Sequence, residues 1–156
     1  MMKPVVFVLA TFCLVLVSAI PLVKDPDEIS CTSDFSCVNS GFDVTNLTLT
    51  YDPDPPEKGK NVTITGSGIV NKEITSGEIK VVVTYNDIQL LDETYDACEL
   101  LEKYGDQCPI STGNTTMSIT VEVPSDLPDG KYVGTMYGTD QDDDPMICGT
   151  VECQVE

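Results

Sequence analysis

The residues of this sequence best suited to chemistry are its cysteines and its carboxylates. Of the seven cysteines, Cys13 lies in an apolar leader. The other six are Cys31, Cys37, Cys98, Cys108, Cys148 and Cys153. No two of them have the C-x-x-C spacing of a zinc knuckle, and the chain has no histidine, so a metal reading fails. An even set in a short exported chain reads instead as three disulfides. Asp140, Asp142 and Asp144 alternate as calcium ligands do. An EF-hand loop, however, needs glycine at its sixth place and glutamate at its twelfth, where this chain has Pro145 and Val151. The segment reads as a solvated hairpin tip. Without histidine there is no Ser-His-Asp or Cys-His nucleophile. Among 26 acidic residues, some carboxylates pair by chance, and none stands in an apolar context that would raise its pKa. The sequence assigns no catalytic residue, no metal and no cofactor, and an enzyme is not expected.

Charge and targeting narrow the setting. The net charge is −18, with eight lysines and no arginine. That leaves no basic face to neutralise phosphates, so nucleic acid is excluded as a partner. Stable docking on anionic membranes at neutral pH is disfavoured too, which leaves transient membrane-surface contact. Met1-Met2-Lys3, an apolar run from Val5 to Val17 and the small residues Ser18-Ala19 describe a signal peptide over 1–19. The apolar run falls short of the ~20 residues a spanning helix needs. One secreted domain over 20–156 follows, within the secretory pathway or the endolysosomal lumen, and it is expected to be a monomer. The sequons at Asn46, Asn61 and Asn114 make it a candidate glycoprotein.

The elements that must position these residues are strands. Leu47, Leu49 and Tyr51 alternate with polar residues, as do Val62 and Ile64, then Ile79, Val81, Val83 and Tyr85, then Met117, Ile119, Val121 and Val123. Pro53, Pro55 and Pro56 form a turn. Residues 20–34 read as an irregular arm. Gly66 and Gly68 suggest a bulge or a close backbone approach. Residues 88–91 read as a short segment, 98–108 as a cysteine-bounded loop, and 131–138 as a strand whose inner face is ambiguous. The last strand runs from Met146 to Val155. About seven short strands without a long helical pattern give an all-β, immunoglobulin-like two-sheet sandwich. The inward stripe either fills a core or lines an apolar cavity, and composition does not separate the two.

Four stretches carry a family resemblance. They are Leu47-Thr48-Leu49-Thr50-Tyr51-Asp52-Pro53 with Pro55-Pro56-Glu57-Lys58-Gly59, and Cys98-Glu99-Leu100-Leu101 leading to Cys108-Pro109-Ile110. Then come Val123-Pro124 with Leu127-Pro128-Asp129-Gly130-Lys131-Tyr132, and finally Cys148. In this order they resemble the ML lipid-recognition domain family, which includes the Niemann-Pick type C lysosomal sterol carrier. They are most similar to its phosphatidylglycerol/phosphatidylinositol transfer proteins. The resemblance implies an apolar cavity between the sheets and a carrier of phospholipids such as phosphatidylglycerol and phosphatidylinositol. A sterol carrier, or a secreted recognition module with a filled core, is the alternative. It also implies the pairs Cys98–Cys108 and Cys37–Cys148, leaving Cys31–Cys153; the swap of Cys31 and Cys37 stays open. Strand parity gives Val62, Ile64, Val81, Val83, Tyr85, Ile119, Val121, Tyr132 and Met136 as the lipid-contacting set.

Overall fold

The computed structural model describes Asp27 and residues 29–156. The signal peptide expected over 1–19 lies outside the described residues. Eight strands and one short helix follow in order: β1 (Ile29–Asp34), β2 (Val44–Asp52), β3 (Asn61–Val70), β4 (Gly77–Tyr85), β5 (Ile88–Asp96), α1 (Ala97–Lys103), β6 (Gly113–Glu122), β7 (Gly130–Asp140) and β8 (Pro145–Val155). They form a five-stranded sheet, β1-β8-β7-β4-β5, and a three-stranded sheet, β2-β3-β6. Every pairing is antiparallel.

The three-stranded sheet follows from its alternation. On β6, Met117, Ile119 and Val121 are half-buried while Ser118, Thr120 and Glu122 are exposed. The outer face is tied by hydroxyls: Thr63 to Thr120 at 2.9 Å, Thr65 to Ser118 at 2.8 Å and Ser67 to Thr116 at 3.1 Å. Such cross-strand hydroxyl pairs fix register on a polar face.

Three expectations need correction, and one left with two alternatives is decided. The strands number eight, because the supposed arm contains β1, paired residue by residue with β8 from Ile29↔Val155 to Asp34↔Thr150. Its pairing is made by backbone groups, to which hydropathy is blind. The segment after residue 88 is a nine-residue edge strand, Ile88–Asp96, carrying acids that mask it. The cysteine-bounded stretch opens as α1, where the Asp96 side chain caps the amides of Cys98 and Glu99 at 2.8 and 2.9 Å. An aspartate in that position satisfies donors the first turn leaves free. Finally, β3 pairs with β6 without interruption, so Gly66 and Gly68 make no bulge. The irregularity lies opposite, in β2 between Thr45 and Thr48, where Asn46 has φ 52°. A Cβ at Gly68 would stand 3.1 Å from Val44 and 3.2 Å from Leu47. The glycine is therefore a close approach to the bulged strand.

Three disulfides close the sandwich: Cys31–Cys153, Cys37–Cys148 and Cys98–Cys108. Cys31 and Cys153 are register partners on adjacent strands, with Cα atoms 4.1 Å apart. The segment before β4 is held by Ile74, 1 % exposed, which exchanges backbone hydrogen bonds of 3.1 and 2.9 Å with Ile110.

Candidate functional site: an apolar space between the sheets

Two clusters of buried side chains seal opposite ends of the inter-sheet layer. One gathers Val44, Val70, Ile74, Ala97 and Met146; the other gathers Ile29, Val62, Val123 and Val155. A cavity opens beside each. The first, about 190 Å³, is lined by Leu47, Gly66, Gly68, Ile79, Leu100, Leu101, Ile110, Met117 and Ile147, among others. The second, about 360 Å³, is lined by Leu49, Tyr51, Val62, Ile64, Val121, Leu127, Tyr132, Val151 and Cys153, among others. No charged side chain borders the first. Both sheets contribute to each.

Register settles the inner face of β7, which the sequence left ambiguous. Tyr132 pairs with Tyr85 and Cys153, Gly134 with Val83 and Val151, and Met136 with Val81 and Gly149. Paired residues share a face of the sheet. Because Tyr132, Val151 and Cys153 border the second cavity, Gly134 points into the same layer. A Cβ placed on Gly134 would meet no heavy atom within 4 Å. The middle of the layer is open.

Of the residues chosen by parity, Val62, Ile64, Val121 and Tyr132 border the second cavity. Val81, Val83, Tyr85, Ile119 and Met136 border neither cavity; they share the inner parity of β4, β6 and β7, each half-buried. Residues 100, 101, 110, 74, 56 and 127, which close the ends, lie on the helix and loops, where no period marks them. Their one signal was apolar character inside turn-rich sequence.

Three tyrosines gather at the second cavity's end. The Tyr85 and Tyr132 rings lie 4.9 Å apart. Their hydroxyls donate to the Asp129 and Pro128 carbonyls at 2.9 and 3.1 Å. The Tyr51 hydroxyl is sealed from solvent with no partner, and burial, then the nearby Asp54 charge, pushes its phenol up.

At the first cavity's end, Lys72 reaches Asp140 at 2.5 Å, Asp142 at 2.7 Å and Asp144 at 3.1 Å. The three aspartates that suggested a metal thus surround an ammonium, which they hold well above the usual lysine range. Burial opposes the charge of Asp140. The Lys72 ammonium and the Asp142 and Asp144 amides nevertheless hold its carboxyl below the ordinary value. Asp43, also buried, is raised by burial and then by the Asp140 charge. The cluster joins the residue that precedes β2, the β3–β4 segment and the β7–β8 hairpin. The sequons Asn46, Asn61 and Asn114 are all exposed, on β2, β3 and β6.

An antiparallel sandwich with an apolar, partly open inner layer defines a β-sandwich with room for an apolar ligand between its sheets. A family model described as the ML domain matches residues 31–155; the chain belongs to this family. It is 37 % identical over 111 residues to a putative phosphatidylglycerol/phosphatidylinositol transfer protein 2 of Dictyostelium discoideum, covering 70 % of this chain and 75 % of that one. It is 35 % identical over 136 residues to the phosphatidylglycerol/phosphatidylinositol transfer protein of Kluyveromyces lactis, covering 85 % and 76 %. The Yarrowia lipolytica protein of the same name is 39 % identical over 101 residues, 64 % of this chain and 53 % of its own length. Among solved structures, a Niemann-Pick type C2 protein from the Japanese carpenter ant superposes with TM-score 0.54 at 12 % identity, covering 78 % of this chain and 96 % of that one. Chicken MD-1 complexed with lipid IVa superposes with TM-score 0.55 at 15 % identity, covering 85 % and 92 %. These two likenesses concern the fold.

Proposed function

We propose that this protein is a phospholipid carrier, moving lipids such as phosphatidylglycerol and phosphatidylinositol between membranes with their acyl chains held between the two sheets. The observation that carries the reading is the open inner layer, with an inward Gly134 where an added Cβ would meet no atom within 4 Å and an apolar cavity at each end. Small-molecule sites span about 300–1,000 Å³. The larger cavity, about 360 Å³, already falls in that range, and the open middle extends it.

The mechanism is solvation, not covalent chemistry. A lipid leaving a bilayer exposes its chains to water at about 0.8 kcal/mol per methylene. Transfer into an apolar layer removes that cost, so the carrier lowers the barrier while making and breaking no bond. The protein acts as a monomer without cofactor or catalytic residue, touches membranes transiently and does not bind nucleic acid. It enters the secretory pathway by cleavage of residues 1–19, is glycosylated on at least one sequon, and works outside the cell or in the endolysosomal lumen. Its three disulfides suit such an oxidising compartment, and no helix of the described residues is long and apolar enough to cross a membrane.

Native mass spectrometry of the purified protein, with lipid extraction, tests the reading alongside transfer between donor and acceptor vesicles. A co-purifying phospholipid and protein-dependent transfer are expected. No bound lipid and no transfer would sink it. Sterol bound in place of phospholipid would refute the assigned lipid class while keeping the carrier.

A further inference from the structure

The helix that borders the first cavity carries a lysine without an ion-pair partner. Lys58 pairs with Asp129, Lys60 with Glu57, Lys72 with its three aspartates, Lys80 with Asp92 and Lys131 with Glu152. Lys103 alone among the described lysines has no ion pair or hydrogen bond. In a chain with 26 acidic residues and a net charge of −18, an unpaired lysine is the exception. Glu99 stands four residues earlier on the same helix, the spacing that favours an ion pair, and the pair is not made.

Position gives this cation a use. Leu100 and Leu101 of α1 border the first cavity. Residues three apart lie on one helix face, so Lys103 stands one turn beyond Leu100, with Tyr104 the capping residue that follows it. Lys103 is exposed and Tyr104 is 45 % exposed. A basic residue in the last turn also suits the helix dipole. That accounts for a positive charge in this turn, but not for its place on the helix that borders the cavity.

We propose that Lys103 is the headgroup contact of the carrier. Its ammonium meets the phosphodiester of an anionic phospholipid whose chains enter behind Leu100, with the Tyr104 hydroxyl as a second donor. This rests on the carrier reading above. The cavity behind Leu100 has no charged lining residue, so a charged headgroup stays at the rim. Lysine is a compact point charge suited to phosphate. Phosphatidylcholine carries its own ammonium, which would sit against Lys103 and cancel the attraction, whereas phosphatidylglycerol carries none. The remainder of the acidic surface repels an anionic headgroup, so Lys103, the unpaired lysine among the described residues, sets the preference.

The test separates the headgroup of a bound lipid from the charge of a membrane surface. Wild type, Lys103→Gln, Lys103→Arg and a control, Lys80→Gln, are each titrated with monomeric dihexanoyl-phosphatidylglycerol and dihexanoyl-phosphatidylcholine. The same lipids are then offered in long-chain form from mixed vesicles. Wild type is expected to prefer the glycerol lipid in both formats. In Lys103→Gln that preference falls about two- to fivefold, the range of an exposed ion pair; Lys103→Arg retains it and Lys80→Gln leaves it unchanged. An unaltered preference in folded Lys103→Gln overturns the proposal. So does a change seen with vesicles alone, which makes Lys103 a membrane-surface contact. Failure of the wild type to bind either phospholipid in either format overturns the carrier reading itself.

Discussion

Gly134 offers the sharpest test of whether the inner layer belongs to a ligand. It lies within β7 between Val83 and Val151, faces inward and has nothing within 4 Å of an added Cβ. Leucine there adds four carbons to the space. They displace about four methylenes of a bound chain, which at about 0.8 kcal/mol each removes about 3 kcal/mol of binding, on the order of 100-fold in Kd. Alanine adds one carbon and costs about fourfold by the same reasoning. The protein itself should gain, because a strand glycine is less stable than a side-chain-bearing residue by about 0.5–1 kcal/mol. Binding and stability therefore move in opposite directions along the series glycine, alanine, leucine. Lipid affinity by titration, vesicle transfer and Tm by calorimetry would be measured on the same preparations. Wild-type affinity in a folded Gly134→Leu would refute the reasoning. A loss of stability of about 1–3 kcal/mol would too, since that is the signature of an over-packed core.

Three further outcomes follow from the polar groups and the staples. Tyr51→Phe removes a buried hydroxyl that has no partner and is expected to raise stability by about 1 kcal/mol in chemical denaturation; a decrease would mean the hydroxyl is satisfied in solution. Asp43 keeps its proton to a higher pH in the folded than in the unfolded chain. The stability it contributes is full below the ordinary carboxylate value and lost as pH rises through the raised one. Asp43→Asn should therefore raise Tm at pH 7 and gain less at pH 4, and an equal gain at both would refute the sign. Removing Cys98 and Cys108 together opens a short loop worth about 3 kcal/mol in the unfolded chain. It also frees α1, so transfer should fall along with stability; full transfer in a folded double variant would detach the helix from the site.

What was legible in the sequence followed side-chain period. β6 alternates without a break, so its inner face is what the pattern demands, while its register against β3, Val121 opposite Val62, comes from the pairing itself. β7 resisted because Gly134 and Gly138 remove side chains from the inner parity while Val133 supplies an apolar one on the outer. Only its partners on β4 and β8 decide the face. β1 escaped because Ser30, Thr32 and Ser33 have no hydropathy signal. Its place depends on backbone pairing and on Cys31 meeting Cys153 across the ladder. Helix α1 spans seven residues, two turns, too few for a period to emerge. The cavity-facing strands were thus visible, and so was the place of Leu100, Leu101 and Ile110 beside the cavity, while the helical form of that stretch and the loop residues Ile74, Pro56 and Leu127 were not. An end is set by tertiary packing, as when Ile74 meets Ile110.

The outer face of the three-stranded sheet has a bearing on how the molecule approaches a bilayer. Asn61 and Asn114 occupy the same parities as the hydroxyl rows of β3 and β6, and Asn46 is exposed at the β2 bulge. Sugars on these positions would all stand on one side of the sandwich, a hydrated brush that holds that side off any surface. The helix end, with Leu100, Lys103 and Tyr104, bears no sequon. Glycosylation would then act as a keel, orienting the carrier in every encounter so that the end beside the cavity meets the membrane first.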